Sequence, residues 1–267
     1  MMMELDAWLA GFGGVMILAV AGWLLSVRLI DVSIVDSMWS MLFVAVLGVY
    51  LYVADTAGSP MLISVLLLVW ALRLGIYITW RNHGTGEDKR YQEIRSRNNP
   101  GFWLKSLWLI FGFQAVIAWL ISIPLLVVAQ SEPQIEWLLW LGALVWATGV
   151  FFESVSDWQL SRFKKDPRNR GKVMSSGLWR YSRHPNYFGN ACVWWGFFLM
   201  AAACGGWWTV YSPILMTFLL LKISGVALLE QTIVDRRPAY CKYVETTNAF
   251  FPGPSRSNIE LPIRGEL

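Results

Sequence analysis

The sequence predicts an all-α, polytopic integral membrane protein with seven transmembrane helices, its N-terminus outside and its C-terminus in the cytoplasm. Three observations carry this. Apolar residues make up 56% of the 267-residue chain and charged residues only 15%, against about 25% charged in a soluble domain. Seven apolar runs approach the length of about 20 residues that a spanning helix needs. Basic residues fall in alternate segments between those runs.

The runs lie at 7–28, 34–54, 61–81, 103–129, 136–156, 186–204 and 207–229. The first lacks a basic leader and a cleavage site, so it is expected to be a retained helix. The polar stretches between runs are 82–102, 157–185 and the tail from 230. No Lys or Arg precedes the first run or lies between the second and third, the fourth and fifth, or the sixth and seventh. Glu4, Asp6, Asp55, Glu132 and Glu136 lie in or beside those segments instead. Arg28, then Arg81 to Lys105, Arg162 to Arg183, and Arg236 onward occupy the others. The positive-inside rule therefore sets the orientation, and it requires an odd number of spans. No repeat or inserted soluble domain interrupts the chain, so 1–267 reads as one domain.

The formal net charge is +4. In this setting it reads as cytoplasmic loops facing anionic lipid, not as a nucleic-acid surface. Cys192, Cys204 and Cys241 have no metal or disulfide spacing. Two histidines exclude a multi-histidine iron site, and no metal is expected. No GxGxxG or Walker A motif is present, so a bound nucleotide would have to be held by membrane helices and their loops.

Ionisable residues inside spans are costly and tend to mark function. Asp36 opens the second run in "DVSIVDSMWSM", Arg73 lies in "LVWALRLGIYITW", and Lys222 lies in "ILMTFLLLKISGVALLE". Glu153 and Asp157, four apart at the end of the fifth run, share a helix face. Interhelical ion pairing is the plain alternative for Arg73 and Lys222, and capping for Asp157. All of them cluster toward the cytoplasmic half, which suggests a site entered from that side, whereas a transport path would place polar groups near the midplane.

The stretch "GLWRYSRHPNYFGN" begins at Gly177. Pro185 suits the first turn of a helix, which sets Asn186, Asn190 and Trp194 on one face. Asparagine amides donate and accept, so they suit a carboxamide or a nucleotide. Arg180, Arg183 and His184 beside a helix N-terminus suit phosphate, with Tyr181 among them. An interfacial anchor of basic and aromatic residues is the competing reading. The tail carries Glu230, Arg236, Arg237, Tyr240 and Tyr243 before "FFP", a pattern that suits a structured cap over a ligand.

"SSGLWRYSRHPNYFGN", "LLLKISGVALLE" and "RRPAYCKYVETTNAFFP" together resemble the C-terminal region of steroid 5-alpha-reductases, and more closely a bacterial membrane branch of that family. "DSMWS" and "LRLGIYITWRNHGTGEDKRY" extend the resemblance over most of the chain. It implies a bacterial inner-membrane enzyme, monomeric, that holds NADPH in a cytoplasmic-side cavity. It also implies hydride delivery to the beta carbon of an enone in a steroid-like, lipid-soluble substrate. The family's acidic residue of the second span falls on Asp36. Its tyrosine of the third span falls on Tyr77, although rough alignment places Trp70 nearer. The family's cofactor positions fall on Asp157, Asn186 and Asn190, where animal members have Glu in place of Asn190. Arg162, Lys164, Arg237, Tyr240 and Tyr243 fall on phosphate-side positions, and 153–254 is the main cofactor-binding part. Asp36 can stabilise an enolate only if it is protonated, as burial favours, or if it orients a donor.

The RHPNYFG piece is also similar to membrane methyltransferases of the isoprenylcysteine type, which makes a methyltransferase using S-adenosylmethionine the alternative. That family has a Glu-Glu pair where this chain has Glu230 and Gln231. A non-enzymatic transporter would show midplane polar sites or inverted repeats, and neither is found.

Overall fold

The computed structural model describes residues 5–223 and 239–254. Among these the chain is helical, with no strand. Five helices are long and apolar enough to cross a membrane, which marks the chain as a membrane protein: α1 (Leu5–Leu29), α2 (Ile34–Val53), α3 (Pro60–Asn82), α5 (Phe102–Gln130) and α6 (Glu136–Lys165). The short α4 is Lys89–Asn98, α7 is Pro185–Ala203, α8 is Tyr211–Phe218 and α9 is Ala239–Thr246. The sixth expected run is thus a helix, but Pro185, Asn186 and Asn190 make it more polar than the five. The seventh is described only to 223. It opens as a 3-10 turn at Trp207–Val210 and passes through α8 into a π-helical turn at Leu219–Ile223. Glu230, Gln231, Arg236 and Arg237 lie outside the described residues.

The chain divides into two compact units. The first comprises Met1–Ala143 and Phe197–Ser212. In it α1 packs along α2, α2 against α3, and α5 against α1 and α2. The buried face of α1 is Ala7, Gly11, Val15, Ala19, Gly22 and Ser26. Small residues at helical spacing let backbones approach closely where lipid supplies no hydrophobic drive between helices. Trp70, Tyr50, Phe43 and Phe111 fill the interior. The polar stretch 82–102 holds a helix where a loop was expected. Asp88 caps α4 by accepting from the Arg90 N–H at 2.9 Å, which satisfies one of the N–H groups that a helix start leaves unpaired.

The second unit comprises Leu144–Gly196 and Pro213 onward. Its α6 runs on to Lys165, past the expected end at 156, because "DWQLSRFKK" continues the helical pattern with basic residues in the last turn, where the helix dipole favours them. The α6/α7 contact is set by two glycines. A Cβ on Gly149 would meet the Gly189 carbonyl at 2.5 Å, and one on Gly189 would meet the Glu153 backbone nitrogen at 2.6 Å. Only hydrogen fits at that crossing.

Candidate functional site

The glycine crossing aligns the polar residues of α6 and α7. Gly149, Glu153 and Asp157 follow one another four apart along α6, and Asn186 and Asn190 do so along α7. Asn190 Nδ2 donates to Glu153 Oε1 at 3.1 Å, and Asn186 Nδ2 donates to Asp157 Oδ1 at 3.3 Å. Glu153, Asp157 and Asn190 are 3%, 5% and 6% exposed, so this is a buried carboxylate–amide ladder. Burying a polar group costs roughly 1–3 kcal/mol unless it is hydrogen-bonded. One ladder atom, Asn190 Oδ1, is buried with no hydrogen-bond partner among the described residues. Trp146, one turn before Gly149 on α6, likewise leaves its buried Nε1 unpartnered. Trp194 is fully buried one turn beyond Asn190.

Beside the ladder, "GLWRYSRHP" is folded onto the chain's end. Gly177 takes φ +62° and sits against the Gln159 side chain, whose Oε1 accepts from the Leu178 N–H at 3.0 Å. The Arg183 guanidinium donates to the carbonyls of Val244 and Thr247 at 2.8 and 2.9 Å, and its N–H to Asn248 O at 2.8 Å. Ser182 Oγ donates to Phe250 O at 2.8 Å and accepts from the His184 N–H at 3.1 Å. The Tyr243 hydroxyl donates to the carbonyls of Trp179 and Ser182, and Tyr240 packs beside it at 5.6 Å between ring centroids. His184 is buried and stacks parallel on Tyr187 at 5.5 Å. Arg183, Ser182 and Tyr243 therefore tie this segment to residues 243–250, with Tyr240 and His184 packed beside them. Tyr181 is exposed.

Two cofactor candidates point outward. Arg162 and Lys164 are exposed near the end of α6. The Arg162 guanidinium lies over the Trp158 ring at 5.6 Å and borders an open groove of about 380 Å³ that Trp158, Gln159 and Phe163 also line.

The first unit holds a separate polar cluster. The Tyr91 hydroxyl donates to Asp36 Oδ1 at 2.6 Å, and Arg90 donates to Asp36 Oδ2 at 2.8 Å. Arg90 also grips Asp88 at 3.0 and 3.3 Å. The Asp88 N–H bonds Ser33 Oγ at 3.3 Å, and Ser33 Oγ in turn donates to Asp31. Beside it Arg95 forks onto both Glu87 oxygens at 2.9 and 2.7 Å, and Glu87 accepts from the Val32 N–H at 3.0 Å. Burial works to raise the carboxyl of Glu87, but its bonds to Arg95 and Val32 outweigh this and hold it below the usual range. The Asp88 carboxyl is lowered the same way by Arg90. The Tyr91 hydroxyl is pushed up, first by burial and then by the Asp36 charge, so it stays protonated with its hydrogen held by Asp36.

Asp36 thus comes with a tyrosine, but that tyrosine is Tyr91. Tyr77 instead lies under the guanidinium groups of Arg73 and Arg81, at 5.6 and 5.7 Å from its ring, and Trp70 is a fully buried core residue. The signal for Tyr91 was in "GEDKRY": an N-cap aspartate followed by Arg90 and Tyr91 in a helix first turn.

An all-helical membrane protein with a buried carboxylate–amide ladder and a separate tyrosine–carboxylate–arginine cluster is the class these features define. The chain belongs to the DUF1295 family, described as "Protein of unknown function", whose model matches residues 22–247. It is similar to an uncharacterized protein of Schizosaccharomyces pombe, 23% identical over 261 residues that cover 86% of this chain and 75% of the relative. No solved structure matches it.

Proposed function

We propose that this protein is an NADPH-dependent membrane reductase that saturates the C=C bond of an enone in a lipid-soluble, steroid-like substrate. The observation that carries the reading is the ladder. It is buried, rich in amides and carboxylates, and leaves Asn190 Oδ1 without a hydrogen-bond partner among the described residues. An uncharged polar ring substituent such as the nicotinamide carboxamide fits those donors and acceptors. Arg162 and Lys164, exposed at the end of the same helix, suit the phosphates, including a 2′-phosphate.

When bound, NADPH supplies a hydride to the beta carbon of the enone. The π electrons of the C=C bond then move onto the carbonyl oxygen. The charge developing there needs a hydrogen-bond donor, and in the first unit the Tyr91 hydroxyl suits that role, provided a carbonyl oxygen takes its hydrogen in place of Asp36. A proton taken up at the alpha carbon completes the saturated ketone. The reading includes seven spans, a cytoplasmic C-terminus and, for a bacterial chain, an inner-membrane location.

The test is a titration of detergent-purified protein with NADPH, NADH and S-adenosylmethionine, followed by tryptophan quenching, then assay of NADPH oxidation with a 3-oxo-delta4-steroid. NADPH binding that weakens in Asn186→Ala, together with enone-dependent oxidation, is expected. Binding of S-adenosylmethionine alone would move the chain to the methyltransferases.

A further inference from the structure

Glu153 and Asn190 form a directional pair. A carboxylate has no hydrogen to give, so it accepts from whichever end of a neighbouring amide carries N–H. Asn190 accordingly turns Nδ2 toward Glu153 Oε1 at 3.1 Å, and Oδ1 is left facing away. Both residues are more than nine-tenths buried. Gly149 and Gly189 bring the two helices into close contact beside this pair, with no room for a Cβ at either glycine. The result is one buried acceptor, Asn190 Oδ1, with no hydrogen-bond partner among the described residues. Such an acceptor selects a ligand with an N–H donor and rejects one that offers a second acceptor, because two facing acceptors leave both unpaired.

We infer that Glu153 is a positioning residue that fixes the Asn190 amide so that the site accepts a ligand N–H, which, resting on the reductase reading, is the carboxamide NH₂ of the nicotinamide. Glu153 acts through Asn190 and touches no reacting atom. Replacing it by Gln keeps shape and volume but supplies an amide that can both donate and accept. The Asn190 amide can then turn over, and selection for N–H is lost.

The experiment compares NADPH with reduced 3-acetylpyridine adenine dinucleotide phosphate, in which a methyl ketone replaces the carboxamide and offers an acceptor without N–H. Dissociation constants are measured by tryptophan quenching on detergent-purified wild type and Glu153→Gln. Wild type is expected to prefer NADPH by about tenfold, the worth of one buried hydrogen bond. Glu153→Gln is expected to bring the two ligands to within about threefold, by weakening NADPH while the acetyl analogue holds or improves. A purely structural role would weaken both ligands equally and keep their ratio, and that outcome overturns the inference. Equal binding of the two ligands by wild type also overturns it and leaves the reductase reading standing, which keeps the inference testable should the variant fail to fold. Wild type that binds neither ligand overturns the reductase reading, and the inference with it.

Discussion

Tyr91 gives its hydroxyl hydrogen to Asp36 Oδ1 at 2.6 Å while Arg90 holds the other carboxylate oxygen at 2.8 Å. The carboxylate is thereby fixed at both oxygens, and it holds the phenol hydrogen until another acceptor takes it. If this is the group that polarises the enone, Tyr91→Phe removes one preorganised donor and should lower turnover by about 10²–10³. NADPH affinity should be unchanged, since the hydroxyl that is removed bonds Asp36 and not a ladder residue. Tyr77→Phe, which keeps the ring under Arg73 and Arg81, should leave turnover within about threefold, far short of a lost donor. Steady-state reduction and cofactor titration on both variants check this. The reverse ranking would return the donor role to Tyr77.

The same cluster sets a pH response. Glu87 and Asp88 have carboxyls lowered in the folded protein relative to the unfolded chain, where values near 4 apply. A group lowered on folding contributes stability that is fully present above its unfolded value and is lost as pH falls through its folded value. Thermal stability should therefore be level above about pH 5 and fall on acidification below about 4. Glu87→Gln should be less stable at neutral pH and should show a shallower acid fall. A melting-temperature series across pH decides it, and parallel curves for the two proteins would rule out this origin.

Much of this architecture is readable from the chain, and the reason is the lipid. A span must be apolar for its whole length and the loops carry the charge, so the sequence pattern gives four of the five long helices to within about two residues at each end and the start, but not the end, of α6. The Asn186/Asn190 face follows from Pro185 at a helix start, and Glu153 with Asp157 from their spacing of four. The pairing between those faces does not follow. It depends on Gly149 meeting Gly189, two glycines forty residues apart in sequence with nothing local to link them. Tyr91 was missed for the same reason: its partner Asp36 is 55 positions away. Arg183 and Tyr243 read as phosphate ligands because their chemistry suits one, yet both bond to backbone carbonyls in the cap.

The glycine crossing can be tested by itself. A methyl on Gly189 would lie 2.6 Å from both the Glu153 nitrogen and the Gly149 carbonyl oxygen, and neither backbone atom can yield without moving a helix. Gly189→Ala should cost about 1–3 kcal/mol, the range for overpacking, and should part Asn190 from Glu153. Gly13 on α1, where an added Cβ meets nothing, is the control, and Gly13→Ala should be neutral or slightly stabilising in its helix. Detergent-phase melting of the two variants reads the difference. Equal melting would mean that the helices are not held this close.

The cap offers a direct check on orientation. Cys241 lies exposed on α9, while Cys204 is buried and Cys192 partly so. Cys192 lies within α7 and Cys204 in the turn just after it, both among apolar neighbours and away from bulk water. A membrane-impermeant maleimide should then label the native protein at Cys241 alone, and the positive-inside argument puts that residue in the cytoplasm. Labelling is expected in inside-out membrane vesicles, to be absent from sealed right-side-out ones, and to vanish in Cys241→Ser. The cytoplasmic tail, the odd span count and the arginine-rich segments all hang on this one side assignment. Labelling of Cys241 from the outer face would reverse all three together, and would put Arg162 and Lys164 on the side away from cytoplasmic NADPH.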